Sequence, residues 1–183
     1  MTASRMFQRR PAARAMPTRQ SRGAGSEVAT GWILAGMVLV AVYVAQAFGN
    51  WSWDRLAALQ QIELYKQMTG LALILLFAEQ WRLSAARMDG RSKFAGRLLI
   101  SHRNWGVVAP ALLLMHANSF GHAYIRVLCL AFLGLISLGL LHQPIIRLNR
   151  SWLTTGWLII HVALATMLIY LIGYHAFNSF YYE

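Results

Sequence analysis

The sequence predicts an all-α integral membrane protein: a helical bundle that crosses the bilayer about five times, with its N-terminus inside and its C-terminus outside. Of the 183 residues, 57% are hydrophobic and only 13% are charged, which is too little charge to cover a soluble domain of this size. The apolar residues also form blocks of roughly 20, the length of helix that crosses a hydrocarbon core. The basic residues cluster at alternate ends of these blocks, which sets the orientation.

The first 27 residues differ from the rest and are predicted to form a disordered, Arg-rich cytoplasmic tail. They contain six arginines and no acidic residue before Glu27, so they cannot bury enough apolar surface to fold alone. A mitochondrial transit peptide is the alternative interpretation. Arginine outnumbers lysine 15 to 2, which favours a bacterial inner (cytoplasmic) membrane over a mitochondrial inner membrane.

Residues 28–183 are predicted to form the transmembrane bundle. The positive-inside rule agrees with five spans, because the segments on the predicted inner side hold 14 Lys or Arg and those on the outer side hold 3. The formal net charge of +11 is therefore attributed to orientation and to contact with anionic membrane lipid, and nucleic acid is not an expected partner. The predicted spans are 30–48, 67–86, 96–119, 123–142 and 152–177.

The six histidines all follow residue 100, and four of them form two pairs with one spacing. The third span holds His102 and His116, and the fifth holds His161 and His175, so that each pair is 14 residues apart. Fourteen residues are about 40° short of four helical turns and rise about 21 Å, so both members of a pair share one helix face. Because both spans run in the same direction, His102 is expected to face His161 at the inner leaflet. His116 is expected to face His175 at the outer leaflet.

Two facing imidazole pairs are suited to two stacked b-type haems. A haem iron takes four nitrogens from its porphyrin and needs one axial ligand on each side. The sequence therefore predicts two haem b cofactors with His102, His116, His161 and His175 as iron ligands. Structural histidines in a haem-free scaffold are the alternative.

Arginines near the membrane interfaces are candidate contacts for the anionic haem propionates. Arg126 is the only such cation predicted near the outer haem, whereas the inner three are equally explained by membrane orientation. Glu79 is expected to pair locally with Arg82, three residues later. The candidates for the inner haem are Arg97, Arg103 and Arg150.

His122 and His142 flank the fourth span and point to opposite faces of it. Each lies near water, where a solvated histidine needs no special explanation. A functional role is the alternative, for His122 as a contact to the outer haem, a quinone or an outside electron acceptor, and for His142 as a similar contact inside.

At these residues the chain resembles the ferric-reductase-like transmembrane superfamily, which includes the membrane part of NADPH oxidases. The matching features are His-Arg-Asn-Trp-Gly at 102–106 with His116 after it, and Trp157-Leu-Ile-Ile-His161 followed by His175. The resemblance covers about residues 67–178 and implies paired haem ligands on the third and fifth spans. Members commonly have a sixth span, and the oxidases also carry a flavin domain. Neither is seen in this sequence, so any flavin chemistry is expected from another chain.

The expected function is transmembrane electron transfer between redox partner proteins on the two sides of the membrane. Such a chain would be the electron-transfer subunit of an oxidoreductase, with no complete active site of its own. The alternatives are a quinone-reactive cytochrome b anchor of a periplasmic oxidoreductase and a haem-free structural subunit of a membrane complex.

Overall fold

The computed structural model describes residues 19–49 and 51–181, with side chains described from Thr30 onward except at Ser92 and Lys93. This part of the chain is all-helical and contains no strand, which confirms the predicted class. Residues 1–18 of the predicted tail lie outside the described residues. The helices are α1 (Arg19–Gly49), α2 (Asp54–Leu59), α3 (Glu63–Met88), α4 (Ser92–His116), α5 (Ala123–Leu140), α6 (His142–Arg147) and α7 (Ser151–Tyr181).

Four helical segments in the described residues are long and apolar enough to cross a membrane: 30–49, 94–116, 123–140 and 151–181. These match four of the five predicted spans. The remaining one, 67–86, falls within α3, whose 26 residues are long enough to cross. However, α3 is not apolar enough to be counted with the others, because it carries Gln67, Glu79, Gln80 and Arg82.

Proline and glycine explain where two of these helices end. Pro144 cannot donate a backbone hydrogen bond, and its ring clashes with the carbonyl four residues earlier, at Leu140. As a result α5 ends at Leu140, two residues before the predicted end of its span, and α6 begins with Pro144 in its first turn. After α3, Gly90 adopts a φ of 69°, which a glycine tolerates without strain. The chain can therefore reverse sharply into α4.

The long helices bury one common apolar core. Its fully enclosed members include Tyr43 of α1 and Leu168 of α7, each with no exposed surface. A second, smaller cluster joins the end of α3 to the start of α4. Only Leu168 is buried along the whole of α7, so this helix presents most of its apolar side chains outward. The second cluster consists of Leu83, Ala86, Ala95 and Leu98.

The end of α4 is held by side-chain donors from outside that helix. The Gln60 amide nitrogen donates to the carbonyls of Leu114, at 2.9 Å, and of Met115, at 3.1 Å. These are among the last carbonyls of a helix, which have no partner within the helix itself. Because Gln60 is only 5% exposed, water is not available to replace it.

The loop that follows α4 is held from α1. The Tyr43 hydroxyl lies 2.9 Å from the Ser119 carbonyl, to which it donates, and 3.2 Å from Cys129 Sγ. The Gln46 amide nitrogen donates to the Asn118 carbonyl at 3.3 Å. Both side chains are almost completely buried. Together with Gln60 they fix the backbone on both sides of the α4 terminus.

Replacing Tyr43 by Phe tests this arrangement. We expect Tyr43→Phe to lower the free energy of unfolding by about 1 kcal/mol, because the Ser119 carbonyl loses its donor and the buried Cys129 Sγ loses its polar contact. Thermal unfolding of the detergent-solubilised protein measures the change as a lower melting temperature. Tyr170→Phe is the matched control, since Tyr170 is 74% exposed. Equal melting temperatures for the two variants would contradict the assigned role.

Candidate functional site: two facing histidine pairs

The four histidines that share the 14-residue spacing lie in two facing pairs. The ring centres of His102 and His161 are 6.3 Å apart, and those of His116 and His175 are also 6.3 Å apart. Both juxtapositions are those expected from the sequence. The residue numbers within each pair differ by 59, which means that α4 and α7 run parallel and in constant register. The two pairs therefore repeat one geometry at two levels of the bundle.

A separation of 6.3 Å is suited to a metal atom held between two imidazoles. Two metal–nitrogen bonds of about 2.0 Å, together with about 1.1 Å from each ring nitrogen to its ring centre, give roughly 6.2 Å between ring centres. The planes of the rings are inclined by 64° in the first pair and 82° in the second, which is compatible with axial ligation from two independent helices. Each pair could thus supply both axial ligands to one iron atom.

The hydrogen bond of His116 identifies the ring nitrogen that is free for a metal. Its Nδ1 lies 3.1 Å from the hydroxyl oxygen of Thr69 on α3. That hydroxyl lies 2.8 Å from the Tyr65 carbonyl and 3.1 Å from the Lys66 carbonyl, so its single proton is directed to the backbone of α3. The Thr69 oxygen must then accept a proton from Nδ1 of His116. This places the lone pair of the neutral ring on Nε2, the arrangement typical of metal-bound histidine.

His102 is oriented from the same helix. Its Nδ1 lies 3.4 Å from the backbone carbonyl of Gln80, a group that can only accept, so the proton again resides on Nδ1. Thr69 and Gln80 are eleven residues apart on α3, which is about 20° beyond three full turns. One face of α3 therefore serves both histidines of α4, with the two helices antiparallel.

His161 is positioned by an aromatic ring. The indole of Trp157 is stacked on His161 with the ring centres 5.3 Å apart and the planes inclined by 23°. Trp157 is itself fixed, because its Nε1 donates to the Leu138 carbonyl at 2.7 Å. Within the described residues, the buried Nδ1 of His161 makes no hydrogen bond. Ring stacking replaces the hydrogen bond that orients the two histidines of α4.

The His116–His175 pair is flanked by aromatic side chains of α5 and α7. The ring of Tyr124 lies 6.2 Å from that of His175 and 4.9 Å from that of Tyr174. The amide nitrogen of Asn178 is 3.4 Å from the Tyr124 hydroxyl. These contacts restrict the rotation of the Tyr124 ring beside His175.

The packing of the helices leaves the two imidazole-bearing helices separated. α5 packs against both α4 and α7, whereas α4 and α7 do not pack closely along their length. Helices in direct ridge-to-groove contact lie 8–10 Å apart, a distance too short for two imidazoles and a metal between them.

Two glycines leave room for the imidazole rings of His116 and His161. A Cβ on Gly70 would lie 3.2 Å from Cε1 of His116, and one on Gly139 would lie 3.7 Å from Cε1 of His161.

The remaining two histidines have different surroundings. His142, at the start of α6, lies 4.7 Å from the Trp157 ring, measured between ring centres. Burial, followed by the positive charges of Arg103 and Arg87, lowers the pKa of His142 below its ordinary value of 6.5. It is therefore neutral at pH 7 and belongs to the aromatic group beside His161. His122 is exposed at the residue before α5.

The four arginines predicted to contact haem propionates are all exposed. Arg97 lies over the Phe94 ring, 5.8 Å from its centre, and Arg126 donates to the Gly121 carbonyl at 3.4 Å. Arg103 and Arg150 lie near the end of the bundle that holds the His102–His161 pair. The expected Glu79–Arg82 ion pair is present, with an N–O distance of 2.6 Å. The propionate assignments stay predictions.

A bare metal ion would find too few ligands here. Among the described residues, no group of three or more His, Cys, Asp or Glu side chains could hold a metal ion. Each imidazole pair offers two ligands, so the metal would have to bring its remaining ligands with it. An iron porphyrin does so, because four of its six coordination positions are already filled. The donor set and the spacing thus fit haem better than a simple cation.

We expect Thr69→Val to change the position of the proton on the His116 ring. The hydrogen bond to Thr69 favours protonation at Nδ1, and its loss should shift the tautomer ratio by about fivefold toward Nε2, for a bond of about 1 kcal/mol. Nitrogen NMR of selectively labelled histidine in the haem-free protein measures this ratio. Thr69→Ser keeps the hydroxyl and should behave as wild type. An Nε2-protonated ring in the wild-type protein would refute the assignment.

Comparisons with protein-family models, with curated proteins and with solved structures gave no match.

Proposed function

We propose that this chain is the membrane electron-transfer subunit of an oxidoreductase and binds two b-type haems, one between the imidazoles of each pair. The single observation that carries the proposal is the repetition of the 6.3 Å ring separation at two levels of the bundle. Haem bound in this way supplies one-electron chemistry in which no atom is transferred. The resemblance to the ferric-reductase-like superfamily supports the same assignment.

The residues of the chain have three tasks in this proposal. The four histidines would hold the two irons about 21 Å apart along the helix axes, which spans most of a hydrocarbon core about 30 Å thick. The acceptor groups on α3 hold the α4 rings in the tautomer that binds metal. The apolar residues of the common core, Ala109 and Leu113 among them, exclude water between the two levels, so that charge would move along a defined route.

In the proposed topology α3 is the second of five spans, and the chain has its N-terminus inside and its C-terminus outside. The excess of 14 basic residues over 3 supports this orientation. Two polar groups of α3 are compatible with a membrane position because they are used internally: Glu79 binds Arg82 and Thr69 binds His116. The corresponding location is a bacterial inner membrane, with redox partner proteins on its two sides.

Visible spectroscopy of the purified protein tests the assignment directly. We expect the wild-type protein to contain two b-type haems per chain in its reduced-minus-oxidised spectrum. His116→Ala and His102→Ala should each reduce the count to about one, because an iron loses one of its two protein ligands. His122→Ala is the matched control and should retain both haems. A colourless wild-type protein would favour the haem-free scaffold, and two haems in His116→Ala would refute the ligand assignment.

Gly70→Ala should weaken the outer haem selectively. The new methyl group would lie 3.2 Å from Cε1 of His116, closer than an ordinary carbon contact, so the ring must shift away from α3. We expect a lower haem count or a changed electron paramagnetic resonance (EPR) signal at one position only. Gly96→Ala is the control, since a Cβ there meets nothing within 4 Å. Identical spectra for the two variants would contradict the predicted contact.

A further inference from the structure

We propose that His142 and Trp157 form the contact through which the haem at the His102–His161 pair exchanges electrons with an acidic, water-soluble one-electron carrier protein. This inference rests on the proposed function. It is carried by the continuity of the aromatic rings and by the distribution of charge around them.

The rings of His142, Trp157 and His161 form a contiguous series in space, with Trp157 in the middle. His142 lies 4.7 Å from Trp157, and Trp157 lies 5.3 Å from His161, measured between ring centres. His142 is half-buried at the start of α6, outside the candidate spans. Electron tunnelling slows steeply across empty gaps, so a contiguous series of rings favours transfer along its own line. The series extends from a partly exposed ring to a proposed iron ligand.

Trp157 is well suited to this role because it does not move freely. Its hydrogen bond to the Leu138 carbonyl is short, at 2.7 Å, and its ring is nearly parallel to that of His161. On the other side of the pair, His102 contacts the backbone of α3 at Gln80. Apart from the other ring of the pair, Trp157 is the one aromatic ring that packs on either histidine among the described residues.

The surface around His142 is positively charged. Arg87 and Arg103 are exposed and close enough to lower the pKa of His142, and among the described side chains neither forms an ion pair. The two acidic residues at this end, Glu79 and Asp89, are already paired with Arg82 and Arg91. A partner with an acidic face would therefore be steered to this surface.

The surroundings of the His116–His175 pair differ, because its neighbouring rings are tyrosines and fewer basic residues lie at that end of the bundle. Tyr124 and Tyr174 flank His175, and the nearest basic residue on α5, Arg126, is directed to the Gly121 carbonyl. Membrane orientation alone explains an excess of arginine on one side. It does not explain why two arginines without an ion pair among the described side chains lie close to the half-buried His142 ring, which contacts Trp157.

The proposed step transfers a single electron from the carrier protein to the haem. The reduced carrier loses one electron at its own redox centre, and one ferric haem iron becomes ferrous. No bond forms or breaks, and no proton is required. The reverse transfer uses the same contact.

The test uses the full-length protein with both haems, mixed rapidly with reduced plant-type ferredoxin as an acidic one-electron donor. His142→Leu should slow haem reduction by about tenfold or more, while the haem count and the midpoint potentials stay those of wild type. His122→Leu is the matched control at the other end and should reduce at the wild-type rate. Trp157→Phe, which keeps an aromatic ring, should be less impaired than Trp157→Leu.

A separate binding measurement does not depend on turnover. Oxidised ferredoxin should bind the wild-type protein more weakly as salt is raised. Arg87→Gln combined with Arg103→Gln should weaken binding and reduce its salt dependence. Wild-type reduction rates in His142→Leu, or unchanged binding in the double variant, would overturn this inference while leaving the two haems in place. Absence of haem from the wild-type protein would instead overturn the proposed function.

Discussion

The antiparallel packing of α3 against α4 is the constraint on which the site depends. It brings the Thr69 hydroxyl to His116 and the Gln80 carbonyl to His102. Polar groups in an apolar bundle are costly unless they are hydrogen-bonded, and here each one finds an imidazole N–H. The polar side chains that lower the hydropathy of α3, Glu79 and Arg82 among them, lie on the same helix as these two acceptors. The helix that least resembles a membrane span is the one that orients the histidines.

A second set of hydrogen bonds fixes the end of α4, where His116 is the last helical residue. Side chains of α1 and the side chain of Gln60 donate hydrogen bonds to backbone carbonyls on both sides of His116. Helix ends usually fray because their last carbonyls have no internal partner. By satisfying those carbonyls with buried side chains, the fold gives a terminal residue the positional accuracy of a residue in the middle of a helix.

Much of this arrangement could be predicted from residue order alone. The 14-residue spacing predicts that both histidines of a helix share one face, because of helical periodicity. The alternation of basic residues predicts that the two helices are parallel, because it sets the direction in which each one crosses the membrane. The partners of the rings could not be predicted in this way. Thr69 reaches His116 through the rotation of α3 about its axis, which only the packed structure determines. Trp157 is part of the sequence motif, but its stacking on His161 and its contact with His142 depend on the tertiary packing. Helix ends were also missed where Pro144 or the loop after His116 intervenes.

The outward exposure of α7 has a thermodynamic consequence. This helix buries only Leu168 and contacts the bundle through α5 and the short α6, although it carries half of the proposed iron ligands. Its docked position therefore depends chiefly on its packing along α5. A group that bridges α4 and α7 would stabilise the docked helix by mass action, in proportion to the logarithm of its concentration. Cofactor insertion and the final assembly of the bundle would then be one coupled equilibrium.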